Sequence, residues 1–338
     1  MDEFFFKPID PKVTKISHIE NLQQHILERQ KSAAELLALP QVQYDGCLVC
    51  SEENGQSQAF TAHGFPWIEC AHCGHMYKKH MPDYDWILKK VRDHTIEVYM
   101  DEVAHQYRIE NITRPKYDFV MRYHDGPPGR WLDLATGISD MPYLVTQEGW
   151  FSDSTELNSG FVDYAREHFS ITPKTVTLDD YLDQFEKVGE ELFDVIGAFG
   201  YYDMLPDPTE HMRMKNRLLK MGGLVGINLP NRESLTGAMA ALWPDTALRP
   251  ITHIDYSWFS KKSLLKMVDL AGFEPMGVLT YGLDIHELIT RICEHAPDFT
   301  GSSAMDMMYD MFNDLQRTVD TADHGDQMLW CVRKVREL

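Results

Sequence analysis

No stretch of this 338-residue chain approaches the roughly 18 consecutive apolar residues that a membrane-spanning helix requires. The opening run "MDEFFFKPID" begins with acids and lacks the basic start and apolar core of a signal peptide, so a cytoplasmic protein is expected. Positive charge is also scarce. Lys and Arg number 32 against 52 Asp and Glu, a formal net charge of −20. A field of that sign repels phosphate backbones and anionic lipid, which argues against nucleic acid or a membrane as the main partner. The local basic run of Lys78, Lys79 and His80, then Lys89, Lys90 and Arg92, reads more readily as a solvated helix face than as an anion site. Six cysteines are too few for a disulfide scaffold in a chain this long. What remains is an ordinary globular composition, 43% hydrophobic and 25% charged. The length suits one large α/β domain plus an accessory module.

Four of the cysteines are paired. "CLVC" and "CAHCG" place Cys47, Cys50, Cys70 and Cys73 as C-x2-C, nineteen residues, C-x2-C. Two such knuckles bring four thiolates around one ion, which suits zinc, and Gly74 after the second pair eases its turn. A site with four protein ligands has no open position, so the metal is expected to be structural. Redox or merely buried pairs are the alternative. Cys293 and Cys331 stand alone and read as core residues. The layout expected is an amino-terminal helix and zinc-ribbon-like four-cysteine module over 1–82, a helical connector or cap over 83–129, and a large domain from 130 to 338. "DGPPG" marks the break before the last of these.

From Arg130 onward strands and helices alternate. "WLDLA", "WFSDSTELN", "KTVTL", "LFDVIGAFG" and "GLVGINLP" read as five strands, the fourth nearly all apolar as a central parallel strand should be. Such alternation predicts a parallel sheet with its ligand at the strand carboxyl ends. There, Asp133 and Gly137 sit at the first turn, Glu156 closes the second strand twenty-three residues after Asp133, and Asp179 and Asp180 follow the third. A carboxylate at about that separation meets ribose hydroxyls in dinucleotide folds. Yet "RWLDLATGISD" contains one glycine, with neither G-x-G-x-x-G nor a Walker loop. A ligand with ribose and adenine but no phosphate fits better, and S-adenosylmethionine is of that kind.

From about Trp131 to Lys334 the chain resembles the class I S-adenosylmethionine-dependent methyltransferases, especially small-molecule enzymes with an amino-terminal cysteine module, some of them acting on nucleotide sugars. "LDLATGISD" is similar to their first motif, with Ala135 in the first glycine position and Ser139 in the last. "FDVIGAFGYYDMLPDP" resembles the fourth motif, its usual Glu-His pair replaced by Asp203–Met204. "LKMGGLVGINLPN", "WFSKKSLLKMVDLAGFEPMGV" and "QMLWCVRKV" resemble the later helix, strands and final strand. The resemblance implies a Rossmann-like, mostly parallel sheet of seven strands with the last antiparallel. It also implies S-adenosylmethionine held by Asp133, Ala135, Gly137, Glu156, Leu157, Asp179, Asp180 and Phe199. Residues 232–257 fall where the family places a substrate-covering lid. Residues 283–325, with their methionine-rich helix, read as a cap or a homodimer interface.

Methyl transfer needs an in-line nucleophile and, for a hydroxyl or carbon acid, a base. His253, in the lid segment, is the first choice of base, with Tyr201 and Tyr256 beside it as catalytic candidates. Tyr202 and Asp203 are further candidates, and His211 is read as solvated. Packing roles for His253 and both tyrosines of "YY" stand as equal alternatives, and alignment alone can carry much of the catalysis. The function expected is methyl transfer to O, N or C of a small biosynthetic acceptor. The alternatives are an RNA or protein methyltransferase that recognises its substrate through the zinc module, and a non-catalytic partner subunit.

Overall fold

The structure, a computed structural model, describes residues 21–93, 102–244 and 252–338. After an opening helix, Leu22–Leu37, come β1 (Gln41–Gln43), β2 (Gln56–Ala62), β3 (Phe65–Cys70), β4 (Met76–Lys78) and β5 (His80–Pro82). Next are β6 (Arg130–Leu134), β7 (Phe151–Thr155), β8 (Phe193–Phe199) and β9 (Leu219–Pro230). The last strands are β10 (Ser257–Trp258), β11 (Phe273–Tyr281) and β12 (Gln327–Lys334). The chain forms two compact units. The first holds the described residues up to Asp83 with Pro230–Ser263 and Leu279–Met328; the second holds Tyr84–Leu229, Leu264–Val278 and Leu329–Leu338. No helix among the described residues is long and apolar enough to cross a membrane.

A six-stranded sheet, ordered β11-β12-β9-β8-β6-β7, organises the second unit. β6 runs parallel to β7 and β8, and β8 runs parallel to β9. In β9 every residue from Gly223 to Pro230 is buried, as a strand covered on both faces requires. This is the Rossmann-like α/β architecture expected, with one strand fewer among the described residues. Of "KTVTL" only Lys174 pairs, in a single bridge to Thr155. The physical reason lies three residues on. Thr177 is already the N-cap of helix Leu178–Val188, its Oγ1 accepting from the Asp180 N–H, so the chain turns helical before a strand can extend.

The first unit joins pieces far apart in sequence. Its four-stranded sheet, β10-β4-β3-β2, takes β10 from the end of the 232–257 segment and the residue after it, with Ser257 opposite Tyr77 and Trp258 opposite Met76. Trp67, Met76, Trp258 and Ala240 share one apolar cluster there. In a second cluster, Leu22 of the opening helix packs with Leu283, Ile289 and Phe312 from the 283–325 segment. Met305 and Met308 pack against that cluster, whereas Met307 and Met311 are exposed. By contacts, both insertions therefore group with the cysteine module, and the 83–129 helices group with the large sheet. Residues 94–101 of those helices and 245–251 of the lid segment lie outside the described residues. Lys78 corrects the solvated-face reading. It lies in β4, buried over Phe65 and Trp67, and donates to the Thr252 and His253 carbonyls.

Candidate functional site

The turn after β6 is where strain, burial and polar chemistry converge. Ala135, Gly137 and Ser139 all take left-handed backbone, with φ of 51°, 58° and 66°. Only glycine does so freely, and each of the other two stores on the order of 1–2 kcal/mol. The turn thus has the shape that glycines at all three positions would give it, held by substitutes. Thr136 N–H donates to the Thr155 carbonyl at 3.0 Å, Ser139 N–H to the Thr136 carbonyl at 3.1 Å, and Gly137 N–H to Glu156 Oε2 at 2.7 Å.

Around this turn, Trp131 Nε1, Asp133 Oδ1, Thr136 Oγ1 and Ser139 Oγ are all buried and none makes a hydrogen bond of good geometry, although Thr136 and Trp131 lie near enough to Asp133 to ease its carboxyl. Folded interiors pair nearly all such atoms, so four within nine residues mark a site to be completed by water or a ligand. Burial pushes the Asp133 carboxyl up to about 7. Gly197 of β8 lies against it so closely that a Cβ there would come within 2.2 Å of Oδ1.

Beside the turn is a cavity of about 410 Å³, within the size range of small-molecule sites. Leu134, Ala135, Glu156, Leu157, Asp179 and Asp180 all line it, so it gathers residues from the ends of β6 and β7 and from the first turn of helix Leu178–Val188. Tyr84 and Arg92 of helix Tyr84–Asp93 line it too. The Glu156 carboxylate accepts from Gly137 N–H and, at 2.8 Å, from Asn158 N–H, and each oxygen keeps lone-pair capacity for a further donor. Burial raises its pKa and those backbone bonds oppose the rise. Asp180 is partly occupied, accepting from Thr177 Oγ1 at 2.9 Å. Phe199 instead lines a smaller cavity of about 50 Å³ with Asp133, and that cavity shares Leu134 and Ala135 with the larger one.

Tyr201 and His211 also line the larger cavity, and the Tyr201 hydroxyl is hydrogen-bonded to His211 Nδ1. The solvated reading of His211 is corrected here: Asp207 starts its helix, Pro208–Leu218, with the histidine facing inward and buried. Burial, with Lys215 nearby, pushes His211 down to about 3, and burial drives Tyr201 well above its ordinary value. The buried Lys215 side chain, its pKa driven well down by burial, lies over both Tyr201 and Tyr202, and its Nζ donates to the His211 carbonyl. Both members of the Tyr201–His211 pair are therefore neutral near pH 7.

The other base candidates lie elsewhere. His253 Nε2 is 2.8 Å from Ser32 Oγ, and Tyr256 is fully buried with its hydroxyl donated to the Pro82 carbonyl at 3.0 Å. Both belong to the first unit and neither lines the cavity. Tyr202 is fully buried against Met212, a packing position, and Asp203 sits in the short turn Tyr202–Met204. Sequence reading set Arg92 aside as part of a solvated face, and missed Tyr84 as a lining residue and Arg108 and Lys116 beside Asp133. Their only signal was helical periodicity, which does not say which face meets a cavity.

In the first unit the four paired cysteines come together, their sulfurs all within 4.8 Å of one another. Cys47 and Cys73 are 3.5 Å apart and Cys50 and Cys70 are 3.7 Å apart. A tetrahedral ion with sulfur ligands at about 2.3 Å needs sulfur–sulfur edges of about 3.8 Å, so this donor set fits one. Cys293 and Cys331 are buried singly.

Residues 104–276, just over half of the chain, match the methyltransferase domain family. No curated protein matches the chain. Among solved structures it is similar to an S-adenosylmethionine-dependent methyltransferase from Archaeoglobus fulgidus, at 16% identity and TM-score 0.44 over 69% of this chain and 100% of that one. A second, from Mesorhizobium loti, shows 12% identity and TM-score 0.43 over 67% and 100%. Geranyl diphosphate C-methyltransferase from Streptomyces coelicolor A3(2) shows 12% identity and TM-score 0.42 over 71% and 83%.

Proposed function

The chain belongs to the methyltransferase domain family, and from that premise we propose that it binds S-adenosylmethionine in the cavity beside the β6 turn and transfers the methyl group to a small acceptor. The observation that carries this reading is one cavity lined by Leu134, Ala135, Glu156, Leu157, Asp179 and Asp180 beside three left-handed turn residues, adjoined through Leu134 and Ala135 by a smaller cavity that Asp133 and Thr136 line. When bound, the cofactor supplies a methyl group made electrophilic by its sulfonium. Glu156 accepts the ribose hydroxyls with its remaining lone pairs, and Leu157, Asp179 and Asp180 border the adenine. Asp133, Ala135, Gly137 and Phe199 take the methionine end. The neutral Tyr201–His211 pair is a poor proton acceptor at pH 7, so this site works by alignment and exclusion of water, with Tyr201 orienting the acceptor through a hydrogen bond. The net charge of −20 favours a small molecule over RNA as acceptor. The four-cysteine cage is a structural zinc site.

Calorimetric titration tests the reading. Both S-adenosylmethionine and S-adenosylhomocysteine should bind, and Glu156→Ala should weaken both about tenfold or more, the effect of a lost hydrogen bond to a charged group. Absence of binding by either ligand overturns the reading, and undiminished affinity in the variant removes Glu156 from the ribose.

A further inference from the structure

The cysteine module carries an inference independent of the cofactor reading. A strand edge is an open row of hydrogen-bonding groups, and folded proteins blunt it with charge, proline, short length or cover. Most sheet edges here are blunted in one of these ways. β10 has two residues, and β1 and β5 have three each. β11 carries exposed Glu274 and Pro275. At β7, Lys174 bridges to Thr155 and its Nζ donates to Asp153 at 2.6 Å. β2 has none of these devices. It ends the four-stranded sheet, runs seven residues as "QSQAFTA", and holds neither a charge nor a proline. No Asp, Glu, Lys or Arg stands between Glu53 and Glu69, in a chain whose net charge is −20. Its one irregularity is a register shift between Gln58 and Phe60, which bends the strand without closing its edge.

The hydrogen bonds of β3 fix which groups of β2 face outward. Cys70 N–H donates to the His75 carbonyl at 2.9 Å, and the Pro66 carbonyl accepts from Lys79 N–H at 3.1 Å. Those two residues, and Ile68 between them, thus turn their backbone away from β2. Alternation then turns their opposite numbers, Gln56, Gln58 and Thr61, outward. None of these three has a backbone partner across that edge among the described residues. We propose that β2 is a self-association edge, pairing antiparallel with β2 of a second copy about a two-fold axis, so that two four-stranded sheets join into one. Symmetry and charge select this occupant. Antiparallel main-chain pairing is self-complementary about a two-fold. A net charge of −20 drives two copies apart in general, whereas here neither strand brings a charge. The edge also borders a cavity of about 850 Å³ that Ser57, Ala59 and Phe60 line with Met76, Trp258 and the Glu69–Arg232 ion pair. An added strand therefore gains apolar contact as well as hydrogen bonds. One seven-residue edge is a small interface, so the dimer should be weak and reversible.

Sedimentation velocity of the full chain across a range of concentrations tests this, with hydrogen exchange of the β2 amides as the second readout. The wild type should pass from monomer to dimer as concentration rises, and exchange at Gln56, Gln58 and Thr61 should slow with it. Added salt should preserve or strengthen the association by screening the net charge. Gln58→Pro removes an outward donor from each copy and should weaken association about tenfold or more. Gln58→Glu brings like charges to the joined edge, so it should weaken association at low salt and recover at high salt. Should Gln58→Pro fail to fold, the near-isosteric Gln58→Glu decides alone. A chain that stays monomeric at every concentration overturns the proposal. So does a dimer that neither variant weakens, or one whose β2 amides exchange at the monomer's rate, since the copies then meet through another surface.

Discussion

The two turn-built sites of this protein differ in how finished they are. In the cysteine module each knuckle is closed by its own backbone, Ser51 N–H donating to the Cys47 carbonyl and Gly74 N–H to the Cys70 carbonyl, both at 2.8 Å. The four sulfurs face one another at ion-sharing distance, with no further donor needed. At the β6 turn the backbone is as tightly tied, yet Trp131, Asp133, Thr136 and Ser139 each keep a buried polar atom without a hydrogen bond of good geometry. Both turns use left-handed residues, Ser51 and Gly74 in one and Ala135, Gly137 and Ser139 in the other. Strain alone therefore does not distinguish a structural site from a ligand site. Completeness of the donor set does: a closed set holds the fold together, and an open one waits for a ligand.

If that contrast is right, damage at the closed site should appear as lost stability. The largest effect is expected for Cys70→Ser, because a structural metal contributes folding free energy outright. Elemental analysis should find about one zinc per wild-type chain and far less in the variant. Thermal unfolding of the variant should show the module several kcal/mol less stable than in the wild type. A variant that loses its metal and keeps its full stability would break the contrast.

At the open site, an unpartnered buried acid should cost stability when it ionises. The Asp133 carboxyl is pushed up to about 7 by burial, against about 3.9 in an unfolded chain. A raised acid is held protonated by the fold. Its contribution is therefore best below about pH 4 and is lost as pH climbs through 7, where the folded chain must bury a charge. Asp133→Asn cannot ionise. In ligand-free protein its stability relative to wild type should be near zero at pH 4 and rise to as much as a few kcal/mol at pH 8. Urea melts at the two pH values measure this, and a pH-independent difference would show that Asp133 is not the buried acid described.

The same contrast explains what the sequence could and could not show. The cysteine cage was legible because its spacing is local and its chemistry specific. So were Asp133 and Glu156, since β6 and β7 are near-continuous β patterns ending in acids. The third strand was misread because "KTVTL" has β propensity, but Thr177 caps a helix within it. β10 was invisible at two residues long, and its partner β4 lies about 180 residues away, so only tertiary packing creates it. His211 went astray for a related reason, since a polar residue at helical spacing shows its face only once the helix is packed. Ala135 and Ser139 stand where the resembled motif has glycine, so the sequence alone does not fix the tightness of the β6 turn. Their positive φ values supply the answer and show that composition was a poor guide to backbone there.

That answer carries the smallest effect expected. Ser139 is fully buried at φ 66°, its hydroxyl is unpartnered, and its backbone bonds to Thr136 and Tyr143 do not involve the side chain. Replacing it with glycine removes the strain of a left-handed serine, on the order of 1–2 kcal/mol, and adds back glycine's entropy, roughly 0.5–1 kcal/mol. Ser139→Gly should therefore raise stability by about 0.5–1 kcal/mol in the ligand-free protein, read from denaturant midpoints at unchanged slope. The benefit should shrink when S-adenosylhomocysteine is present, because the orphaned hydroxyl is then free to find its partner on the ligand. A gain of equal size with and without the ligand would mean that Ser139 shapes the turn and touches nothing in the site. Only three of the four unpaired atoms would then belong to it.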